Sequence, residues 1–144
     1  MTEEGLVSVF IVEDELLVLE DIAFKLSQFG YLVSGEYSKG EEVLEALNSG
    51  NIPDLIIMDI HLDGILDGIR TVELFSQQHQ IPVIYLTDDH HKDTIIRASK
   101  TKPINYIVKP FSEVQLKTAI ELCIFENILD EDSNLGSSVY WLKP

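Results

Sequence analysis

The sequence is poor in several features that whole classes of protein require. It has a single cysteine among 144 residues, so no disulfide can form within the chain. A lone thiol favours a reducing setting, with Cys123 as a small core residue. No run approaches the about 18 uninterrupted apolar residues of a membrane span, and the acidic start of the chain is unlike a signal peptide. We therefore expect a cytoplasmic protein that makes no use of a membrane.

Positive charge is also scarce. The chain has 10 Lys plus Arg against 25 Asp plus Glu, which gives a net charge of −15 and a pI near 4.4. A strong negative field disfavours direct contact with nucleic acid and favours cations and basic partner surfaces. With 45% hydrophobic residues and a mean hydropathy of +0.10, the chain is too apolar for a disordered acidic tail. Its length favours one folded domain with a real core.

Apolar runs of strand length alternate with segments of helical spacing. The runs lie at residues 6–12, 31–37, 55–58, 83–86 and 106–108, and the second alternates as an edge strand does. Five strand–helix repeats predict an α/β fold, a parallel sheet with right-handed crossovers and helices on both faces. The periodicity fades near residue 126, which predicts a domain over 1–125 and an acidic, polar tail or linker over 126–144.

Polar residues follow four of the predicted strands. Glu13 and Asp14 follow the first, Asp59 the third, Thr87 the fourth and Lys109 the fifth. Any one of them alone reads as a solvated loop residue, and Asp14 alone reads as a helix cap. Together, however, crowded carboxylates require a cation, and an oxygen-only set without His or Cys suits Mg²⁺. Because ligands of open α/β sheets bind at this edge, the sequence predicts a magnesium-dependent phosphoryl site.

Four short motifs contain these residues: Val12-Glu13-Asp14-Glu15, Ile57-Met58-Asp59-Ile60, Leu86-Thr87 and Tyr106-Ile107-Val108-Lys109-Pro110-Phe111. As a set they make the chain resemble the receiver domains of bacterial and archaeal two-component signalling, over about residues 6–125. The resemblance implies a flavodoxin-like, doubly wound (βα)5 fold whose five-stranded parallel sheet has the order 2-1-3-4-5. It also implies a response regulator, which is a signalling switch rather than an enzyme.

The resemblance assigns a role to each site residue. Asp59 becomes the phosphoacceptor, which takes a phosphoryl group from a histidine kinase, a phosphotransfer protein or a small phosphodonor. The remaining roles are Mg²⁺ binding by Glu13, Asp14, Asp59 and the backbone carbonyl of His61, and phosphoryl binding by Thr87 and Lys109. Such a site needs positioning and positive charge rather than acid–base chemistry.

Tyr106 matches the family's switch aromatic, whose rotamer changes with that of Thr87 on activation. Its alternative interpretation is a half-buried strand aromatic. The resemblance implies that the switch alters the face formed by the fourth helix, fifth strand and fifth helix, through which receivers of this kind often pair as homodimers. The output domain or partner protein is not identified by the sequence, which has no DNA-binding helix-turn-helix.

The chain departs from the family pattern in two loops. Asp63 stands where many receivers have proline, and Asp67-Gly68 arrives one residue late, so the loop 62–66 is longer and more acidic. Asp88-Asp89 follows Thr87 where a small residue commonly comes first, which could slow the access of phosphodonors or water. His90-His91 has no metal-ligand partner at a telling spacing, and Trp141 belongs to a small apolar cluster in the tail.

Two alternatives to a phosphorylated switch remain. The first is a pseudo-receiver, in which Asp88, Asp89 and the lengthened loop block the chemistry. Such a chain would act as a phosphorylation-independent docking module. The second is a flavodoxin-like cofactor binder, which shares the fold. We rank it lower because Glu13-Asp14-Glu15 would repel a flavin phosphate at the place where a phosphate loop is needed.

Overall fold

The computed structural model describes residues 5–88 and 91–129, with side chains up to residue 126. Asp89, His90 and Trp141 lie outside the described residues, as does most of the predicted tail, so the predictions made for them stay predictions. The elements are β1 (Ser8–Val12), α1 (Leu16–Phe29), β2 (Leu32–Tyr37), α2 (Gly40–Asn48), β3 (Leu55–Asp59), α3 (Gly68–Phe75), β4 (Val83–Thr87), α4 (Lys92–Ser99), β5 (Asn105–Val108), α5 (Glu113–Cys123) and a π-helical segment (Ile124–Leu129).

The five strands form one parallel sheet in the order β2-β1-β3-β4-β5, which confirms the predicted fold class and strand order. Every residue of β1, β3 and β4 is buried, as expected for strands that helices cover on both faces. β2 has no fully buried residue, only exposed and half-buried ones, and it lies at one edge as predicted. The carboxyl ends of the three central strands therefore meet at one edge of the sheet.

A core cluster lies on each face of the sheet, because successive strand side chains point to opposite sides. Val9 and Ile11 of β1 pack with α1 and α5, whereas Phe10 and Val12 pack with α2, α3 and α4. Cys123 is buried in the first cluster, which confirms its predicted role as a core residue. No helix in the described part of the chain is long and apolar enough to cross a membrane.

Local signals in the sequence explain where the helices begin and end. Gly30 adopts φ 94° after α1, where its N–H donates to the Leu26 and Ser27 carbonyls. Ser112 caps α5 as predicted: its hydroxyl accepts from the Gln115 N–H at 3.0 Å. Asp14 does not cap α1, because the N-cap is Glu15. The Asp14 carboxylate is therefore available to the strand-end site.

Candidate functional site

The site residues converge because the strands that carry them are in parallel register. Met58 is the partner of Val12, Asp59 the partner of Leu86, and Thr87 the partner of Val108. Glu13 directly follows β1, and its N–H donates to the Tyr37 carbonyl at the end of β2 at 2.9 Å. The hydrogen bonds of the sheet backbone are thus enough to bring the acidic residues to the same edge.

Three carboxylates form a compact oxygen cluster at this edge. One oxygen from each of Glu13, Asp14 and Asp59 lies within 4.8 Å of the others. Glu13 is fully buried and Asp59 is 4% exposed, whereas Asp14 is half-buried and opens the cluster toward solvent. Hard oxygen donors with one open side suit Mg²⁺, which keeps several waters and takes one or two carboxylates. The residues present therefore fit that ion.

Lys109 supplies a positive charge inside the cluster. Its Nζ donates to Glu13 Oε1 at 2.6 Å and to Asp59 Oδ2 at 3.3 Å. Burial works against the ammonium, but these two carboxylates outweigh it and raise the pKa of Lys109. The charge is thus fixed beside the predicted phosphoacceptor. The peptide bond between Lys109 and Pro110 is cis.

The carboxylates are not equally acidic. Burial raises the pKa of Asp59 to about 8, the Glu13 carboxylate adds to this, and Lys109 acts in the opposite direction. Burial also opposes ionisation of Glu13, but hydrogen bonds with Asp59 and Lys109 outweigh it and lower the pKa of Glu13. Of these two neighbouring carboxylates, Asp59 is therefore the weaker acid and Glu13 the stronger.

The start of α3 packs directly against the backbone of the predicted phosphoacceptor, Asp59. The Gly68 N–H donates to the Ile60 carbonyl at 2.7 Å. A Cβ atom at Gly68 would overlap the Asp59 carbonyl oxygen, so only glycine permits this approach. Asp67 caps the helix by accepting from the Arg70 N–H at 2.7 Å. The first turn of α3 thus packs against the backbone of Asp59.

The lengthened loop after β3 is held from two sides. The Asp63 N–H donates to Asp14 Oδ2 at 3.2 Å, and the Leu66 N–H donates to Glu41 Oε1 at 2.9 Å. Gly64 adopts φ 100° next to the Glu41 carboxylate. Ile65, at the tip, is 93% exposed. The tip of the loop therefore projects into solvent, while its first part contacts the Asp14 carboxylate.

Three further residues were predicted for the site: Thr87, Tyr106 and His61. Thr87 ends β4, fully buried, and its carbonyl accepts from the Lys109 N–H at 2.8 Å. Tyr106 is half-buried on β5, paired in register with Tyr85, and packs with the second core cluster. His61 is exposed after β3, and the metal-binding role of its carbonyl stays a prediction.

Sequence reasoning missed two residues that organise the site from outside. Glu41 of α2 holds the loop after β3, and Arg97 of α4 binds Asp67. Glu41 opens an acidic helix start, Glu41-Glu42, which indicates capping but no distant contact. No signal in the sequence singled out Arg97, because its partner Asp67 lies thirty positions away, at the start of a different helix.

Comparisons with known proteins agree with this geometry. The family model for "Response regulator receiver domain" matches residues 9–121. The transcriptional regulatory protein PdtaR of Mycobacterium tuberculosis is 37% identical over 116 residues, which cover 81% of this chain and 56% of PdtaR. The chemotaxis protein CheY of Pseudomonas aeruginosa is 31% identical, over 83% of this chain and 97% of CheY. The chain thus matches little more than half the length of PdtaR and nearly all of CheY.

A solved structure extends the likeness to three dimensions. The signal receiver domain of a modulated diguanylate cyclase from Desulfovibrio desulfuricans G20 superposes with a TM-score of 0.80 at 32% identity. The match covers 88% of this chain and 99% of that domain. The similarity in three dimensions therefore extends over most of the chain.

Proposed function

The chain belongs to the response regulator receiver domain family, and on that premise we propose that Asp59 is its phosphoacceptor. Receiver domains of two-component systems take phosphoryl groups from histidine kinases and act on output or partner proteins. We propose the same exchange here, with a histidine kinase or phosphotransfer protein as donor. The chain would then act as a switch rather than as an enzyme that turns over an external substrate.

The observation that carries this proposal is the juxtaposition of Asp59 with Lys109 inside the carboxylate cluster. The Lys109 Nζ lies 3.3 Å from Asp59 Oδ2, where it can pair with an oxygen of an incoming phosphoryl group. Receiver domains bind Mg²⁺ at such an acidic site, and Glu13, Asp14 and Asp59 would hold the ion here. When bound, Mg²⁺ supplies charge neutralisation for the transferring group.

Each side chain then has one task in the transfer. Asp59 provides the attacking carboxylate oxygen, and it attacks in the ionised form that a bound cation would favour. Lys109 stabilises the negative charge on the equatorial phosphoryl oxygens. Thr87, buried at the end of the neighbouring strand, offers a hydroxyl to a phosphoryl oxygen. No general acid is needed, because the transition state is loose and its charge is met by cations.

The added charge would act on the rest of the molecule through Thr87 and Tyr106. Phosphorylation takes Asp59 from about one negative charge to about two and adds acceptor oxygens. We propose that these oxygens draw Thr87 inward, that Tyr106 turns with it, and that the face formed by α4, β5 and α5 changes shape. An output partner or a second copy of the chain would read that face. The cytoplasmic setting stays a prediction from the sequence.

The test is labelling by acetyl phosphate with and without Mg²⁺, read by intact mass. We expect a gain of one phosphoryl group in wild type with Mg²⁺, and none in Asp59→Asn. Asp21→Asn, an exposed aspartate paired with Lys25 on α1, is the matched control and should label normally. Absence of labelling in wild type with Mg²⁺ would contradict the proposal and favour the docking module. No feature of the described residues specifically supports that alternative.

A further inference from the structure

Helix α4 is attached to the domain differently from its neighbour α3. Of its eight residues only Ala98 is buried, whereas α3, of equal length, buries five. Apolar packing therefore holds α4 weakly. The polar contacts that complement it include the pair of Arg97 with Asp67. In the turn after α4, the Tyr85 hydroxyl lies 2.8 Å from Thr101 Oγ1.

The Arg97–Asp67 contact is a bidentate ion pair. Nη1 lies 2.7 Å from Oδ2 and Nη2 lies 3.1 Å from Oδ1 of the same carboxylate. That carboxylate also accepts from the Arg70 N–H, and the Asp67 carbonyl accepts from the Thr71 hydroxyl at 2.8 Å. Two parallel charge-assisted hydrogen bonds fix orientation as well as distance. Asp67 is thus immobilised by α3 and presents a rigid fork to α4.

A short connected path leads from this ion pair to the phosphoacceptor. Gly68, adjacent to Asp67, packs against the Asp59 carbonyl and donates to the Ile60 carbonyl. A backbone shift at Asp59 must therefore displace Gly68 and with it the Asp67 carboxylate. Arg97 would carry that displacement into α4, of whose eight residues only Ala98 is buried.

We propose that Asp67 and Arg97 form a positioning pair that couples occupancy of the Asp59 site to the position of α4. The inference rests on the proposed function, since it needs a ligand at Asp59. It adds a second route to α4 that runs through the loop after β3 and through α3, independent of the route through Thr87 and Tyr106.

The coupling role of this ion pair can be separated from a role in stability, because the two predict different effects when the pair is removed. Arg97 and Asp67 keep side-chain exposures of 46% and 29%, so the pair contributes little to global stability. Its loss should leave the unfolding temperature almost unchanged. The coupling between Asp59 and α4, in contrast, should fall, because the rigid connection between the two is lost.

The test follows backbone amide resonances on adding beryllofluoride and Mg²⁺, a phosphoryl mimic that needs no donor protein. Ile60 reports on the Asp59 site and Ala98 reports on α4. The variants are Arg97→Gln and Asp67→Asn, because asparagine retains the N-cap of α3 while removing the charge. Arg70→Gln is the matched control, since Arg70 is exposed and lies in the first turn of α3 but does not bridge to α4.

In wild type we expect both amides to shift. In each variant Ile60 should shift as in wild type, and the ligand-induced shift at Ala98 should fall about threefold. The double variant should lose no more than either single one, because both remove the same interaction. Arg97→Lys should restore part of the Ala98 response, and Arg70→Gln should behave as wild type.

The two proposals fail in distinguishable ways. If Ile60 does not respond in wild type, the proposed function is wrong, and this inference falls with it. If Ile60 responds everywhere and the Ala98 shift is the same in wild type and both variants, this inference alone is overturned. Losses that add in the double variant would also overturn it, because they would show two separate effects rather than one pair.

Discussion

The carboxyl end of β3 and the helix α4 lie close together but are stabilised by opposite means. Around Asp59, buried strands and the close approach of Gly68 fix the backbone, and the cost falls on carboxylates that are crowded out of water. α4, in contrast, is mostly exposed: Ala98 is its one buried residue, and its polar contacts include the pair of Arg97 with Asp67. The candidate site is thus closely packed, whereas α4, the element that we propose to move, is loosely held.

The largest effect is expected when the positive charge of Lys109 is removed from the closely packed site around Asp59. Lys109→Met deletes the ammonium beside Glu13 and Asp59, so we expect acetyl phosphate labelling to slow about 100-fold. The measurement is the labelling rate at saturating Mg²⁺. Lys102→Met, an exposed lysine before β5, is the control and should label at the wild-type rate. A normal rate in Lys109→Met would mean that Mg²⁺ alone neutralises the transferring group.

A second change tests the rigid backbone. Gly68→Ala places a Cβ against the Asp59 carbonyl oxygen, so the start of α3 must move away. We expect the free energy of unfolding to fall by about 2–3 kcal/mol, as for overpacking in a close-packed interior. Urea unfolding measures this loss. An unchanged midpoint would show that the first turn of α3 is as adaptable as α4.

A third test uses the dependence of stability on pH. Because burial raises the folded pKa of Asp59 to about 8, above its unfolded value, its contribution to stability is full at low pH and is lost as the pH rises toward 8. In chelator, Asp59→Asn should therefore raise the free energy of unfolding at pH 8 by about 2 kcal/mol, and much less at pH 4. An equal effect at both pH values would contradict the raised pKa.

The smallest effect is expected on the loosely held side. Tyr85→Phe removes the hydroxyl that pairs with Thr101, at a cost of about 1 kcal/mol in the free energy of unfolding. Hydrogen exchange should accelerate at the α4 amides more than at those of α3. Uniform acceleration across both helices would show that Tyr85 stabilises the core rather than the attachment of α4.

The strand-end residues could be predicted from the sequence because parallel strands bring their carboxyl ends together whatever follows. Asp59 and Lys109, fifty positions apart, could thus be placed at the same edge of the sheet from the apolar runs. The contacts of Arg97 with Asp67 and of Tyr85 with Thr101 could not be predicted in this way. They depend on how far α4 lies from α3 and from the sheet, a distance that side-chain packing determines and that no periodicity records.

The buried state of Cys123 has a practical consequence. Burial raises the pKa of its thiol to about 12, with a smaller contribution from Glu126, so the thiolate that reacts with alkylating reagents is scarce at neutral pH. A cysteine introduced on the exposed surface of α4, for example Ile95→Cys, would then be the main reactive thiol without further mutation. A spin label or fluorophore attached there would report the movement of that helix directly.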